Sequence, residues 1–245
     1  LVLQNYTKNL IPPNFSAFFL IFALVIRKIL HTIFTKFSSA GLGFLTIILI
    51  SQILGVEAKG EQAIMVYNIN LLLMLFTLIG NSTLIYLTPR KDFSNLIIPS
   101  FLWIVITAIL VSLFFPNICV LIAVLAAISE INQFLLLGKQ KISQANILKL
   151  IYPLVSFSYI LILWLFNRFT SVEDFITAML IAYIVSFFYG IFALKDEYKN
   201  LKLISKQELT SSFKTLFSLG VTKQIGYIAQ SMNYRLYFYI LGFYC

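Results

Sequence analysis

Residues 51–63 read SQILGVEAKGEQA. Glu57, Lys59 and Glu61 sit between and beside Gly55 and Gly60, in a 245-residue chain that is 60% apolar and only 11% charged. A soluble domain needs roughly a quarter of its residues charged to clothe its surface. Charge this scarce, gathered into one short island between two long apolar runs, reads as a turn between membrane-spanning helices. The two glycines permit a tight reversal, and the charges hold that turn in water.

The rest of the chain follows the same grammar. Mean hydropathy is +0.93, and the apolar residues fall in blocks of about twenty, the length that crosses a bilayer core at a rise of ~1.5 Å per residue. The fold class expected is an all-α integral membrane protein, a polytopic helix bundle. Residues 15–26 (FSAFFLIFALVI) before Arg27 and Lys28 are short for a span, so 1–28 reads as an N-terminal extension or interfacial segment. Spans are expected at about 30–54, 62–88, 96–115, 118–137, 147–166 and 175–194, which makes 29–194 a six-span lobe. In the first of them Ser38, Ser39, Gly41 and Gly43 offer a small-residue packing face.

The breaks between spans are TPRKD (88–92), PN (116–117), GKQK (138–141) and NRFTSVED (167–174), and the hydrophilic stretch 195–215 reads as a cytoplasmic loop. A seventh span starts near Leu216 and is cut at Cys245 inside an apolar run. With Leu1 in place of an initiator Met, the chain reads as the front part of something longer.

Cations partition sharply. With the N-terminus inside, the inner gaps carry Arg90, Lys91, Lys139, Lys141, Lys149, Lys195, Lys199, Lys202, Lys206 and Lys214, while the outer gaps carry only Lys59 and Arg168 beside four acids. The positive-inside rule then predicts a cytoplasmic N-terminus. The net charge of +9 lies in these gaps rather than on a basic helix or an aromatic-basic platform, which argues against nucleic acid. Two cysteines and one histidine give no disulfide framework, no metal site and no cofactor, and no nucleophile–base pair, paired carboxylates or phosphate loop suggests an enzyme.

Polar residues inside the spans carry the functional expectation, because each costs free energy unless it faces a partner or a wet cavity. At 100° per residue Asn70, Thr77, Asn81 and Thr88 share one stripe of the second span. That stripe reads as a cavity wall or as a helix–helix hydrogen-bonding seam. Glu130 sits in the fourth span beside the small face Ala123, Ala126 and Ala127. Lys223 lies at a similar depth in the seventh, on a stripe with Tyr227, Gln230, Tyr234 and Tyr237. Glu130 and Lys223 are expected to face one water-filled space and to pair there, with local amides or water around Glu130 as the alternative. Arg235 points away from that stripe, toward an anion, lipid head groups or a further part of the protein.

The order of these features resembles the bacterial polysaccharide exporters and O-antigen flippases of the multidrug/oligosaccharidyl-lipid/polysaccharide (MOP) superfamily. SQILGVEAKGEQA is similar to their Arg/Gln-x-Leu-Gly-x-x-x-x-Gly turn, and LIGNSTLIYLTPR to the Gly-x-x-x-x-x-x-Tyr segment before the first inner loop. GKQKISQANILKL resembles the Gly-basic loop after span four. FSLGVTKQIGYIAQSMNYRLYFYILGFY resembles helix seven, keeping Asn233 and Arg235 but carrying Tyr237 where an Asp is common. The resemblance runs from about residue 29 to the end. It implies a first six-helix lobe plus part of helix seven of a flippase that moves an undecaprenyl-diphosphate-linked oligosaccharide across the bacterial inner membrane. The implied partners are that lipid-linked oligosaccharide, membrane lipid and other polysaccharide-assembly membrane proteins. Lys223, with Arg27 and Lys28, would attract the diphosphate. The Asn70–Asn81 stripe and the tyrosines would meet sugars. A drug/cation antiporter of the same superfamily is the nearer alternative, though it would want more cavity acids. A membrane-bound polymerase or ligase is the other, though the outward loops here are short.

Overall fold

The computed structural model describes the backbone of residues 15–244 and, within that range, every side chain except those of 15–21, 24, 56–57, 227–228 and 230–244. The order is α1 (Phe15–Phe76), α2 (Thr83–Leu87), α3 (Phe93–Val111), α4 (Asn117–Gly138), α5 (Ile142–Leu165), α6 (Val172–Ala193), α7 (Lys195–Lys199) and α8 (Lys206–Tyr244). No strand occurs among the described residues. Five stretches there are long and apolar enough to cross a membrane: Val25–Gly55, Phe93–Val111, Asn117–Gly138, Ile142–Leu165 and Val172–Ala193. The chain is a multi-pass, all-α membrane protein.

One end of the bundle is defined by its contacts. The Asn146 amide reaches His31 Nδ1 at 3.0 Å and donates to Thr32 Oγ1 at 2.9 Å. Gly138 packs against the Thr88 side chain. Lys139 pairs with Glu197, and the Lys202 N–H donates to Ser94 Oγ at 2.9 Å. Lys91 Nζ donates to Thr215 Oγ1 at 3.4 Å. Residues 31–32, 88–94, 138–146, 197–202 and 215 therefore gather at a single basic end.

From His31 the helix runs to Gly55, roughly 36 Å at the α-helical rise and a full bilayer crossing. By Gly80, which packs on Ile131, the chain has returned toward the basic end. The one non-helical residue within α1 is Gly55, at φ 79° and ψ −173°. The turn expected over Gly55–Gly60 is thus one residue wide. VEAKGEQA stays helical because Glu, Ala, Lys and Gln are strong helix formers, and only the positive φ at residue 55 demands glycine. Lys59 Nζ donates to Gln62 Oε1 at 2.6 Å within this new helix. In the other direction, helix continues without interruption from residue 54 back to Phe15, so no backbone boundary falls at residue 28.

α4 is the centre of the bundle. Ile122, Ala123, Ala126, Ala127, Ile131 and Leu135 are all sealed, and the alanines admit their neighbours closely. Where α4 has 56% of its apolar window enclosed, the first arm of α1 has 11%, and Phe34, Phe37 and Phe44 face outward as lipid-facing side chains do. A Cβ at Gly41 or Gly43 would meet open space, so neither glycine of the small-residue face expected there is needed for a close neighbour among the described residues, while Ser38 and Ser39 are partly buried.

Two further expectations need correction. Lys149, read as a loop cation, lies seven residues into α5. The span 62–88 is not continuous: helix stops at Phe76, residues 77–82 are turns and bends, and only α2 follows. The stripe of Asn70, Thr77, Asn81 and Thr88 depended on unbroken helical phase, and the interruption removes it.

The segment 195–215 is also more ordered than a loop. Tyr198 of α7 donates to Asn132 Oδ1 at 2.7 Å and meets Phe93 edge-on at 5.4 Å. Burial raises the Tyr198 phenol above its usual range, and the Asn132 bond offsets part of that. Asn132 itself is fully buried on Gly190, where a Cβ would strike the amide. This short helix pins the connection between α6 and α8 to the basic end.

Candidate functional site

The interruption at 77–82 lies where hydropathy reads uninterrupted span, so its freed backbone groups need partners from protein rather than water. Thr77 makes the last helical bond, to Leu73 O at 2.9 Å. Leu78 N–H then turns to Leu75 O at 3.3 Å, and Gly80 N–H to Thr77 O at 3.1 Å. The Met74 carbonyl, which Leu78 would have capped, instead accepts from Gln224 Nε2 at 2.9 Å. Leu75 O accepts a second bond from Trp103 Nε1 at 2.9 Å.

Asn81 organises the other side. Its Oδ1 accepts from the Thr83 N–H at 2.9 Å and the Thr83 hydroxyl at 2.6 Å, an Asx-type start for α2. Its Nδ2 donates to Gly220 O at 3.2 Å and to Leu78 O at 3.4 Å. All of its polar capacity is spent on backbone and on Thr83. Gly220 makes this possible, because a Cβ there would collide with the Leu78 carbonyl oxygen. α8 meets the break at backbone contact.

One turn further along α8, Lys223 Nζ donates to Ser82 Oγ at 3.3 Å. An ammonium has three donors, and among the described residues only this one is taken. Thr215 marks the basic end, so Lys223 sits about 12 Å farther along the axis of α8. The break therefore presents a cation with two unclaimed N–H groups beside a hydroxyl, about a third of the way across. That arrangement suits an anion with several acceptor oxygens.

Of the residues expected at a site, the structure brings Thr77, Asn81 and Lys223 together. Thr77 returns its hydroxyl to Leu73 O at 2.8 Å and offers nothing to a cavity, as Thr88 does to Leu84 O at 2.6 Å. Asn70 lies half-buried in the second arm of α1, away from the break. Glu130 does not meet Lys223: among the described residues the only ion pair is Lys139–Glu197, and Lys223 is bonded to Ser82. The expected pairing is thereby corrected. The side chains of Tyr227, Gln230, Tyr234 and Arg235 lie outside the described residues. Sequence reasoning missed Ser82, Thr83, Trp103, Gly220 and Gln224. The signal for the first two was the run Gly80-Asn81-Ser82-Thr83, whose short polar side chains compete for backbone.

At the basic end a shallow cleft of about 530 Å³ lies between the starts of α3 and α8, lined by Arg90, Asp92, Asn95, Gln207 and Glu208. Arg90 is already committed, donating to Tyr86 O at 2.7 Å and stacking on the Tyr86 ring. Among the described residues no group of His, Cys, Asp and Glu is placed to hold a metal ion. Compared with family models, curated proteins and solved structures, the chain matches none.

Proposed function

We propose that this chain is the first lobe of a flippase that moves an undecaprenyl-diphosphate-linked oligosaccharide across the bacterial inner membrane by alternating access, with the N-terminus cytoplasmic. The observation that carries the reading is Lys223, an exposed ammonium bonded among the described residues only to Ser82, beside the helix broken at 77–82. Broken helices lining a cavity are where transporters hold charged substrates. A diphosphate crossing hydrocarbon needs a cation and hydroxyls along its path, and Lys223 with Ser82 offers both. Asn81, Gly220 and Gln224 serve as the frame that keeps the break open, and Asn70 and the tyrosines of α8 remain candidates for sugar contacts. The resemblance along residues 29–245 points to the same substrate class, and the basic end matches the cytoplasmic side under the positive-inside rule.

The test is export of surface polymer in a bacterium carrying Lys223→Gln at the native locus, with Lys223→Arg beside it. Gln is expected to abolish export and Arg to restore part of it, at equal protein abundance in the membrane. Undiminished export with Gln overturns the reading. Loss of drug or cation resistance with intact polymer would transfer the chain to the antiporters.

A further inference from the structure

Among the described residues, the most exposed large apolar side chain does not lie in a span. Leu203 stands at 103% of its reference area, where Phe114, the next, reaches 83%, and Leu201 beside it is exposed too. Both belong to residues 201–205 (LKLIS), the non-helical strap between α7 and α8.

That exposure is held in place. Before the strap, Tyr198 donates to the buried Asn132. Within it, the Lys202 N–H donates to Ser94 Oγ at 2.9 Å. After it, Ser205 and Glu208 box the start of α8: the Ser205 N–H and hydroxyl both donate to Glu208 Oε2 at 2.8 Å, and the Glu208 N–H donates to Ser205 Oγ at 3.2 Å. Between these fixed points Ile204 is half-buried, while Leu201 and Leu203 stay outside.

The bond to Ser94 also sets the level of the strap. Ser94 is the second residue of α3, whose 19 residues measure roughly 28 Å by helical rise, about the thickness of a hydrocarbon core. A span with no length to spare starts at the hydrocarbon boundary, and the strap bonded to its first turn lies there with it. The end of α6 agrees. Phe192 is exposed in its last turn, and the Lys195 ammonium folds over that ring at 5.3 Å, the posture of a cation between a lipid-facing ring and the head groups.

Charge then selects the partner. Lys199, Lys202 and Lys206 flank the two leucines, all three are exposed, and among the described residues the only ion pair is Lys139–Glu197. That pair occupies Glu197, and Ser205 occupies Glu208, so Asp196 alone of the nearby acids opposes these cations. Leucines framed by ammoniums at the edge of hydrocarbon fit a molecule with acyl chains on one side and phosphate on the other. We infer that residues 199–206 are a docking surface for anionic glycerophospholipid, with Leu201 and Leu203 entering the acyl boundary and Lys199, Lys202 and Lys206 holding head-group phosphates. This surface is separate from the Lys223 break and does not rest on the transport reading.

The test places an environment-sensitive fluorophore on Leu203→Cys in the full chain, with Cys245→Ser and with Cys119 buried beyond reach of the label. The protein sits in phosphatidylcholine vesicles containing a minor share of phosphatidylglycerol, and an acyl-chain nitroxide is carried by one lipid or the other in equal amount. Phosphatidylglycerol is expected to quench at least about threefold more strongly, since each lysine near an anionic surface is worth roughly fivefold in affinity. Exchanging the three lysines for Gln should erase that preference and exchanging them for Arg should keep it, which separates lost charge from lost fold. Weak quenching by both lipids, equal quenching by both, or a preference that survives the Gln exchange overturns the assignment. So does cross-linking of position 203 between copies in place of quenching, which would make the strap a protein contact. A preference for polyprenyl phosphate without one for phosphatidylglycerol overturns it as well, by making the strap a substrate contact.

Discussion

The helical path is interrupted at Gly55 and again at 77–82, and the two interruptions invert what their sequences suggest. The first lies in a polar island rich in charge, yet the chain gives up helix for a single residue. The second lies in an apolar run, yet it gives up six. The difference follows from where the freed backbone groups go. At Gly55 a reversal at the far end of the bundle leaves its carbonyls and amides to water, and a Cβ there would meet open space. At 77–82 the side chains of Asn81, Gln224 and Trp103 take up those groups one by one. One interruption is local; the other is built by a helix nearly 140 residues away.

If that contrast is right, substitutions around 77–82 cost far more than substitutions at Gly55. The largest effect is expected from Gly220→Ala, because its methyl meets a carbonyl of another helix rather than a yielding side chain. A loss of about 3 kcal/mol, at the upper end of overpacking costs, would show in denaturant or thermal unfolding in detergent. A change below the noise there would mean that α8 does not seat on the break. Next comes Asn81→Leu, which strands the Thr83 N–H and the Leu78 carbonyl together. Its expected cost is about 2–3 kcal/mol, and hydrogen exchange at Thr83 and Leu84 should rise with it. Exchange that stays slow would show α2 to be capped by something else. The smallest is Gly55→Ala, which meets no atom but forces an L side chain to a positive φ, for about 1 kcal/mol. Should Gly55→Ala prove costlier than Asn81→Leu, the contrast collapses and the reversal at residue 55 becomes the more constrained of the two.

Much of the fold was legible because its punctuation is strong. Asp92, Pro116 and the Gly-basic run at 138–141 mark the observed helix boundaries, since proline, glycine and clustered charge disfavour helix or hydrocarbon wherever they occur. The break at 77–82 was not legible in the same way. Averaged over twenty residues, Gly80, Asn81 and Ser82 vanish among leucines and isoleucines, and what turns them out of helix is the partner surface of α8. The candidate site suffered likewise. Glu130 and Lys223 each stood out as ionisable groups at depth, but sequence gives no relative rotation between helices. Only the packed bundle shows Lys223 turned to Ser82 and Glu130 without an ion pair.

The close approach at Gly220 sits partway along α8. Fourteen residues of the helix precede it, so by helical rise the arm toward the basic end measures roughly 21 Å. With the root beside α7 and the backbone of Leu78 as fulcrum, a tilt of the rod carries its two arms in opposite directions. Leverage of that kind needs no flexible joint within the rod, only a pivot too tight to hold a methyl group.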